Sequence, residues 1–181
     1  MTNTWIALFR GINVGGHRRL PMKELVVELE KLDLCDVNTY IQSGNAIFHS
    51  DENSASALSE KIAQAIQTSH GFRPDVMVLS ADAFRTAAEN NPFPMSEAAS
   101  KTVHLYFLAE PETTPELSLL DAVQSGREEY HLGQQVLYLH TPDGFGNSKL
   151  AQKVPRALGV SATARNWRTV TKILEIAEQI Q

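Results

Sequence analysis

The sequence predicts an α+β chain made of two ferredoxin-like (split βαβ) halves, each an antiparallel sheet with helices on one face, followed by a C-terminal helix. Three observations carry that prediction. Between Thr4 and Leu79 the apolar spacing runs β-α-β-β-α-β, the split βαβ order. The same order returns between Thr102 and Ala164, as a pattern of elements without residue-level self-similarity. Between the two lies Asn91-Pro92-Phe93-Pro94, a stiff link that disfavours helix. The expected organisation is residues 1–80 as the first half, 81–100 as a helix and Pro-rich link, and 101–181 as the second half with the C-terminal helix.

Each element has its own local cause. Thr4–Arg10 is short and rich in large apolar residues, as a buried strand requires. Gly11–Arg19 is a loop whose glycines free the backbone, and Pro21 suits the first turn of a helix. Met22, Leu25, Val26, Leu29 and Leu32 then form one helical stripe. Asp36–Gln42 and Asn45–Ser50 read as strands around Ser43-Gly44, a tight hairpin. Ser54–Ser69 is a helix with Leu58, Ile62 and Ile66 on one face, ended by Gly71. Asp75–Leu79 follows as a strand after Pro74, and Ala81–Glu89 as a short helix. In the second half, Thr102–Ala109 is a strand and Pro115–Gln124 a helix. Arg127–Leu132 and Gln135–His140 are strands around Gly133. Ser148–Leu158 is helical, with Pro155 expected to kink or split it. Ser161–Ala164 is a short last strand. Asn166 is the N-cap of a final helix striped by Trp167, Val170, Leu174 and Ala177.

Composition narrows the function. The chain has 181 residues, 43% of them apolar, enough to bury a core without disulfides or metal. Its one cysteine, Cys35, excludes an internal disulfide and a multi-cysteine zinc site. Cys35 is placed at a helix end, where the dipole disfavours a thiolate, so it reads as packing. No apolar run approaches the roughly 20 residues of a membrane helix. Met-Thr-Asn-Thr opens no signal peptide. A cytoplasmic protein with no membrane association is expected.

Charge is segregated. Residues 1–23 carry four cations and no acid, and residues 144–174 carry six cations and no acid. Residues 24–143 hold six cations against 19 acids, while the whole chain stands at −5. Such asymmetry can give an acidic protein a local positive potential.

Four stretches form a specific set. Leu8-Phe9-Arg10-Gly11-Ile12-Asn13-Val14-Gly15-Gly16, Tyr40-Ile41-Gln42-Ser43-Gly44-Asn45, Asn91-Pro92-Phe93-Pro94 and Ala162-Thr163-Ala164-Arg165-Asn166-Trp167-Arg168-Thr169-Val170 together resemble the bacterial domain-of-unknown-function family 1697. The resemblance runs in order along nearly the whole chain. It implies a small cytosolic α+β protein of ferredoxin-like character and assigns no activity.

Topology then groups the polar residues. In a split βαβ unit the first two strands run parallel, so the loop after the first and the hairpin after the second share a sheet edge. Arg10, Asn13, His17, Arg18, Gln42, Ser43 and Asn45 could surround one oxyanion there, at the start of a helix. The competing reading gives Gly15-Gly16 a turn and makes Asn13 and Asn45 loop-bridging residues. In the second half, Gly144–Lys149 and Arg165–Thr169 would likewise meet, bringing Lys149, Arg165, Asn166 and Arg168 to a second anion cradle. The opposing reading pairs Arg165 with an acid and packs Trp167 in the core. Neither loop has the spacing of a dinucleotide fingerprint or a P-loop. The six histidines lack metal-ligand spacing, and no metal or cofactor is implied. His104 is expected to be a hydrogen-bonded structural histidine. His140, Asp143 and Ser148 cluster in sequence without defining a triad. The acidic stretch Glu110–Glu129 reads as a solvated helix face.

The leading expectation is therefore a module binding a nucleotide, RNA or other phosphate-bearing ligand. The alternatives are an enzyme acting on a small anionic metabolite, with His17 as acid or base, and a protein-interaction scaffold. An unpaired sheet edge could also support a homodimer.

Overall fold

The computed structural model describes residues 2–110 and 114–180. Of the acidic stretch, Glu112 lies outside the described residues. The chain divides into two compact units, Met1–Thr86 with Lys172–Gln181, and Ala87–Thr171. The division falls inside a helix, between Thr86 and Ala87. The last ten residues group with the first unit and not with the second half. In both places a helix runs unbroken across the division.

The first unit contains β1 (Asn3–Arg10), α1 (Met22–Glu30), β2 (Cys35–Thr39), β3 (Asn45–Ser50), α2 (Ala55–His70) and β4 (Asp75–Ser80), and α3 (Ala81–Glu89) leads out of it. Its strands lie in the order β2-β3-β1-β4, with antiparallel pairing throughout. That is the ferredoxin-like arrangement. Trp5, Ala7 and Phe9 of β1 meet Leu25 and Leu29 of α1 and Leu58, Ile62 and Ile66 of α2 in one core. The intervening Ile6 and Leu8 are also buried, so β1 is covered on both faces. This explains its continuous apolar run. The Ser54 hydroxyl caps α2 by accepting from the Ala57 N–H.

Two local differences have clear causes. The segment 40–44 is a turn and β2 ends at Thr39, because Ile41 takes a positive φ of 52° and cannot continue a strand. Cys35 opens β2 and is exposed, so it is neither at a helix end nor packed. A register shift between Cys35 and Asn38 leaves Asp36 as a bulge residue at φ 51°. Its carboxylate is thereby turned to Nδ1 of His49, 2.9 Å away.

The second unit repeats the plan. After α4 (Ala99–Thr102) come β5 (Val103–Leu108), α5 (Ser118–Asp121), β6 (Glu129–Leu132), β7 (Val136–His140), α6 (Lys149–Leu158) and β8 (Ala162–Asn166), and α7 (Trp167–Gln179) then leads back to the first unit. The sheet order is β6-β7-β5-β8, again antiparallel. The expected helix over 115–124 shrinks to the four residues of α5, with Leu120 anchoring it in the core. Conversely, α6 runs through Pro155 without splitting. Among the described residues no helix is long and apolar enough to cross a membrane.

Candidate functional site

In the first unit the loop after β1 is a small hairpin finger. Val14 and His17 form an isolated bridge, and the His17 N–H donates to the Val14 carbonyl at 3.1 Å. Between them Gly15 and Gly16 sit at φ 59° and 80°, the positive pair that a type I′ turn demands. Ile12 and Leu20 are buried and root the finger in the core, while every residue from Val14 to Arg19 is exposed.

Asn13 holds this finger to the turn after β2. At φ 54° its side chain reaches back to accept from the Leu20 N–H at 2.8 Å. Its amide nitrogen donates to the carbonyls of Leu20, at 2.9 Å, and Gln42, at 2.8 Å. Asn45 is fully buried and donates to the Tyr40 carbonyl at 2.9 Å and to Ser43 Oγ at 3.5 Å. The two segments predicted to share an edge do so, since the Phe9 N–H donates to the Gly44 carbonyl at 2.9 Å. The side chains of Asn13 and Asn45 are engaged in building that junction.

The cations divide into two kinds. Arg10 pairs with Asp75, its register partner on β4, through bonds of 2.7 and 3.1 Å to one carboxylate oxygen. The topology alone would have revealed this pair, because the end of β1 lies beside the start of β4. Arg18, Arg19 and Lys23 are exposed and have no acidic partner among the described residues. Lys23 belongs to the first turn of α1, whose N-terminus at Pro21 has no side-chain cap. Gln42 and Ser43 are exposed on the adjoining turn, with His17 at the finger's tip.

The second unit gathers its residues less completely. The register sets Val103 against His140, and His104 against Asn166, so the loop after β7 and the end of β8 do share one end of the sheet. Adjacent strand residues face opposite ways, however. Asn166 shares the face of its partner His104, whereas Arg165 shares that of Leu105. Arg165 is half-buried and donates to its neighbour's carbonyl, Ala164, at 2.9 Å, and burial lowers its pKa to about 10. Asn166 is the N-cap, accepting from the Thr169 N–H at 2.9 Å. Arg168 is exposed. Trp167 is half-buried at the start of α7.

The Gly-rich loop carries an unexpected charge balance. A cleft of about 500 Å³ lies between residues 122–128 and 143–149, and its lining includes Lys149 together with Glu128 and Asp143. Asp143 pairs with Arg127 at 2.8 Å. Asp143, next to the loop in sequence, and Glu128, from the preceding connection, thus bring acid to a segment that carries only cations itself. Ser148 Oγ caps α6 by accepting from the Ala151 N–H at 2.9 Å, and no His140–Asp143–Ser148 triad forms.

Phe145 of this loop stacks on His104, with centroids 3.9 Å apart and planes 21° from parallel. His104 is 9% exposed, and its Nδ1 has no hydrogen-bond partner. Burial drives its pKa down to about 4, offset in part by hydrogen bonding to the Thr102 backbone. Its ring nitrogens are therefore less satisfied than the sequence suggested. Among the described residues no cluster of three or more His, Cys, Asp or Glu side chains could hold a metal ion.

Comparison with known proteins adds two findings. The model of a family described as a protein of unknown function (DUF1697) matches residues 1–138. The conserved bacterial protein SP0830 from Streptococcus pneumoniae shares the fold at a TM-score of 0.72 and 24% identity, over 98% of this chain and 99% of that one. No curated protein matches significantly.

Proposed function

Because the chain belongs to the DUF1697 family of proteins of unknown function, it inherits no assigned activity, and we propose that it binds a phosphate-bearing ligand, a nucleotide or RNA, at the finger Gly11–Leu20. One observation carries the reading: Arg18, Arg19 and Lys23 stand exposed, without acidic partners among the described residues, in the stretch of chain that leads into the uncapped start of α1. Guanidinium forks suit phosphate oxygens. The N-terminal dipole of α1 favours the same charge. Gln42 and Ser43, joined to the finger through Asn13, add neutral donors beside it. The mixed charge around Lys149 makes the second unit's loop a poorer phosphate site.

We place the protein in the cytoplasm, a reading supported by its single, exposed, unbridged cysteine. The test is an amide NMR titration at low salt with sulfate, a nucleotide mixture and a short RNA. Shifts concentrated in residues 13–23 and 40–45, and lost in Arg18→Ala/Arg19→Ala, support the reading. An unperturbed finger in a folded sample overturns it.

A small-metabolite reading has one observation in its favour, the cleft beside Lys149, whose mixed charges suit a zwitterion or polyol better than phosphate.

A further inference from the structure

The finger carries more than charge. Among the described residues the exposed large apolar side chains are Val14 at 67%, Val27 at 47% and Ile41 at 46% exposure. Two of the three flank the same hydrogen bond, that of Asn13 to the Gln42 carbonyl, each one residue away from it. Ile41 is not there by local preference. It is β-branched and held at φ 52°, a conformation that Asn or Gly would adopt at far lower cost. The Gly44 side of the turn is fixed, since a Cβ there would fall 2.6 Å from Ile12 Cδ1 and Phe9 Cβ. Two exposed aliphatic side chains on hydrogen-bonded loops, one of them held at a strained φ, with the exposed Arg18 and Arg19 on the same finger as Val14, are costly as structure and suited to contact.

We infer that the ligand of this site is a single-stranded nucleic acid, with Val14 and Ile41 as the apolar platform for its unstacked bases. The inference rests on the phosphate reading above. A free phosphate or mononucleotide uses the cations and leaves the aliphatic pair in water. A duplex hides the faces of its bases inside the stack. An unpaired strand offers phosphates and open base faces together. An acidic peptide is the weaker fit, because the forked guanidiniums and the uncapped α1 start favour compact, multiply charged oxyanions. The chain's net charge of −5 repels a polyanion elsewhere on the molecule, confining it to the finger.

The experiment is fluorescence anisotropy of the full chain with a labelled 12-mer of U and the matching strand of dT at low salt. Tripolyphosphate, a duplex of the same length and an oligoglutamate peptide serve as competitors. The strand is expected to bind about tenfold tighter than duplex, peptide or tripolyphosphate. Val14→Ser/Ile41→Asn should weaken strand binding by about tenfold and leave tripolyphosphate within about twofold. Asn is at home at the positive φ of position 41, so the fold survives, as a melting curve will verify. Arg18→Ala/Arg19→Ala should weaken both ligands. The RNA and DNA arms decide which strand is preferred. A platform variant that binds the strand like the wild type overturns the inference, as does a peptide or duplex that binds equally well. If tripolyphosphate binds and the strand gains nothing over it, this inference alone falls. If neither binds, the phosphate reading falls with it.

Discussion

The hydroxyl of Tyr106 donates to the backbone carbonyl of Ala151 at 3.4 Å, the carbonyl that Pro155 would serve if proline had an N–H. A proline in a helix interior orphans the acceptor four residues before it. Here β5 supplies a substitute donor from the core, and α6 stays continuous. Tyr106→Phe should therefore cost about 1 kcal/mol. In a Pro155→Ala background, where residue 155 can donate again, the same change should cost close to nothing. A double-mutant cycle by urea denaturation reads the coupling, and equal costs in both backgrounds would refute it.

Asn13 should behave as a structural clamp whatever the finger binds. Asn13→Gly keeps the positive φ and removes three part-buried or exposed hydrogen bonds. A loss of about 2–3 kcal/mol is expected. The amides of residues 40–44 should lose hydrogen-exchange protection along with those of the finger, because the bond to Gln42 joins the two.

Two glycines with similar φ should respond differently to alanine. At Gly15, φ 59°, an added Cβ meets nothing within 4 Å, so the cost is backbone strain alone, about 1 kcal/mol. At Gly44, φ 82°, the added carbon collides with Phe9 and Ile12 at 2.6 Å, within the buried root of the finger. Overpacking adds to the strain there, for a loss above about 2 kcal/mol. Thermal melts of the pair should separate by several degrees.

Much of this was legible in the sequence. The order of elements, the shared edge of the Gly11–Arg19 loop and the Ser43-Gly44 turn, and the N-cap at Asn166 follow from periodicity and topology. The alternation of any strand over 162–166 likewise turns Arg165 away from Asn166. Other features needed the third dimension. Glu128 shares a cleft with Asp143 and Lys149 only because two separate connections, 122–128 and 143–149, line it together. The Tyr106 hydroxyl is 49 residues from the proline it compensates, so Pro155 read as a break. Ile41 looked like ordinary strand, since nothing local announces a β-branched residue at positive φ.

His104 makes stability depend on pH in a defined direction. Its folded pKa, about 4, lies below the ordinary histidine value near 6.5. Between these values the unfolded chain binds a proton that the folded chain refuses. Stability is thus complete above about pH 6.5 and declines as the pH falls toward 4, by about 3 kcal/mol in total. His104→Phe preserves a ring to stack on Phe145 and cannot titrate. Its unfolding free energy, compared between pH 7 and pH 4.5, should fall by correspondingly less than that of the wild type.

Ile41→Asn is expected to stabilise the fold by about 1 kcal/mol, by relieving positive-φ strain at an exposed site. A denaturant midpoint that rises without a change in slope would show it. No gain would mean that the turn accommodates isoleucine without strain.

The return of α7 to the first unit has a consequence for synthesis on the ribosome. The segment 87–171 is contiguous, so it can mature as soon as it has emerged. The unit begun by the earliest residues still lacks the strand of chain from 172 onward. The part translated first is therefore the part finished last. A released chain truncated after Thr171 should hold a protease-resistant later unit beside a still cleavable earlier one.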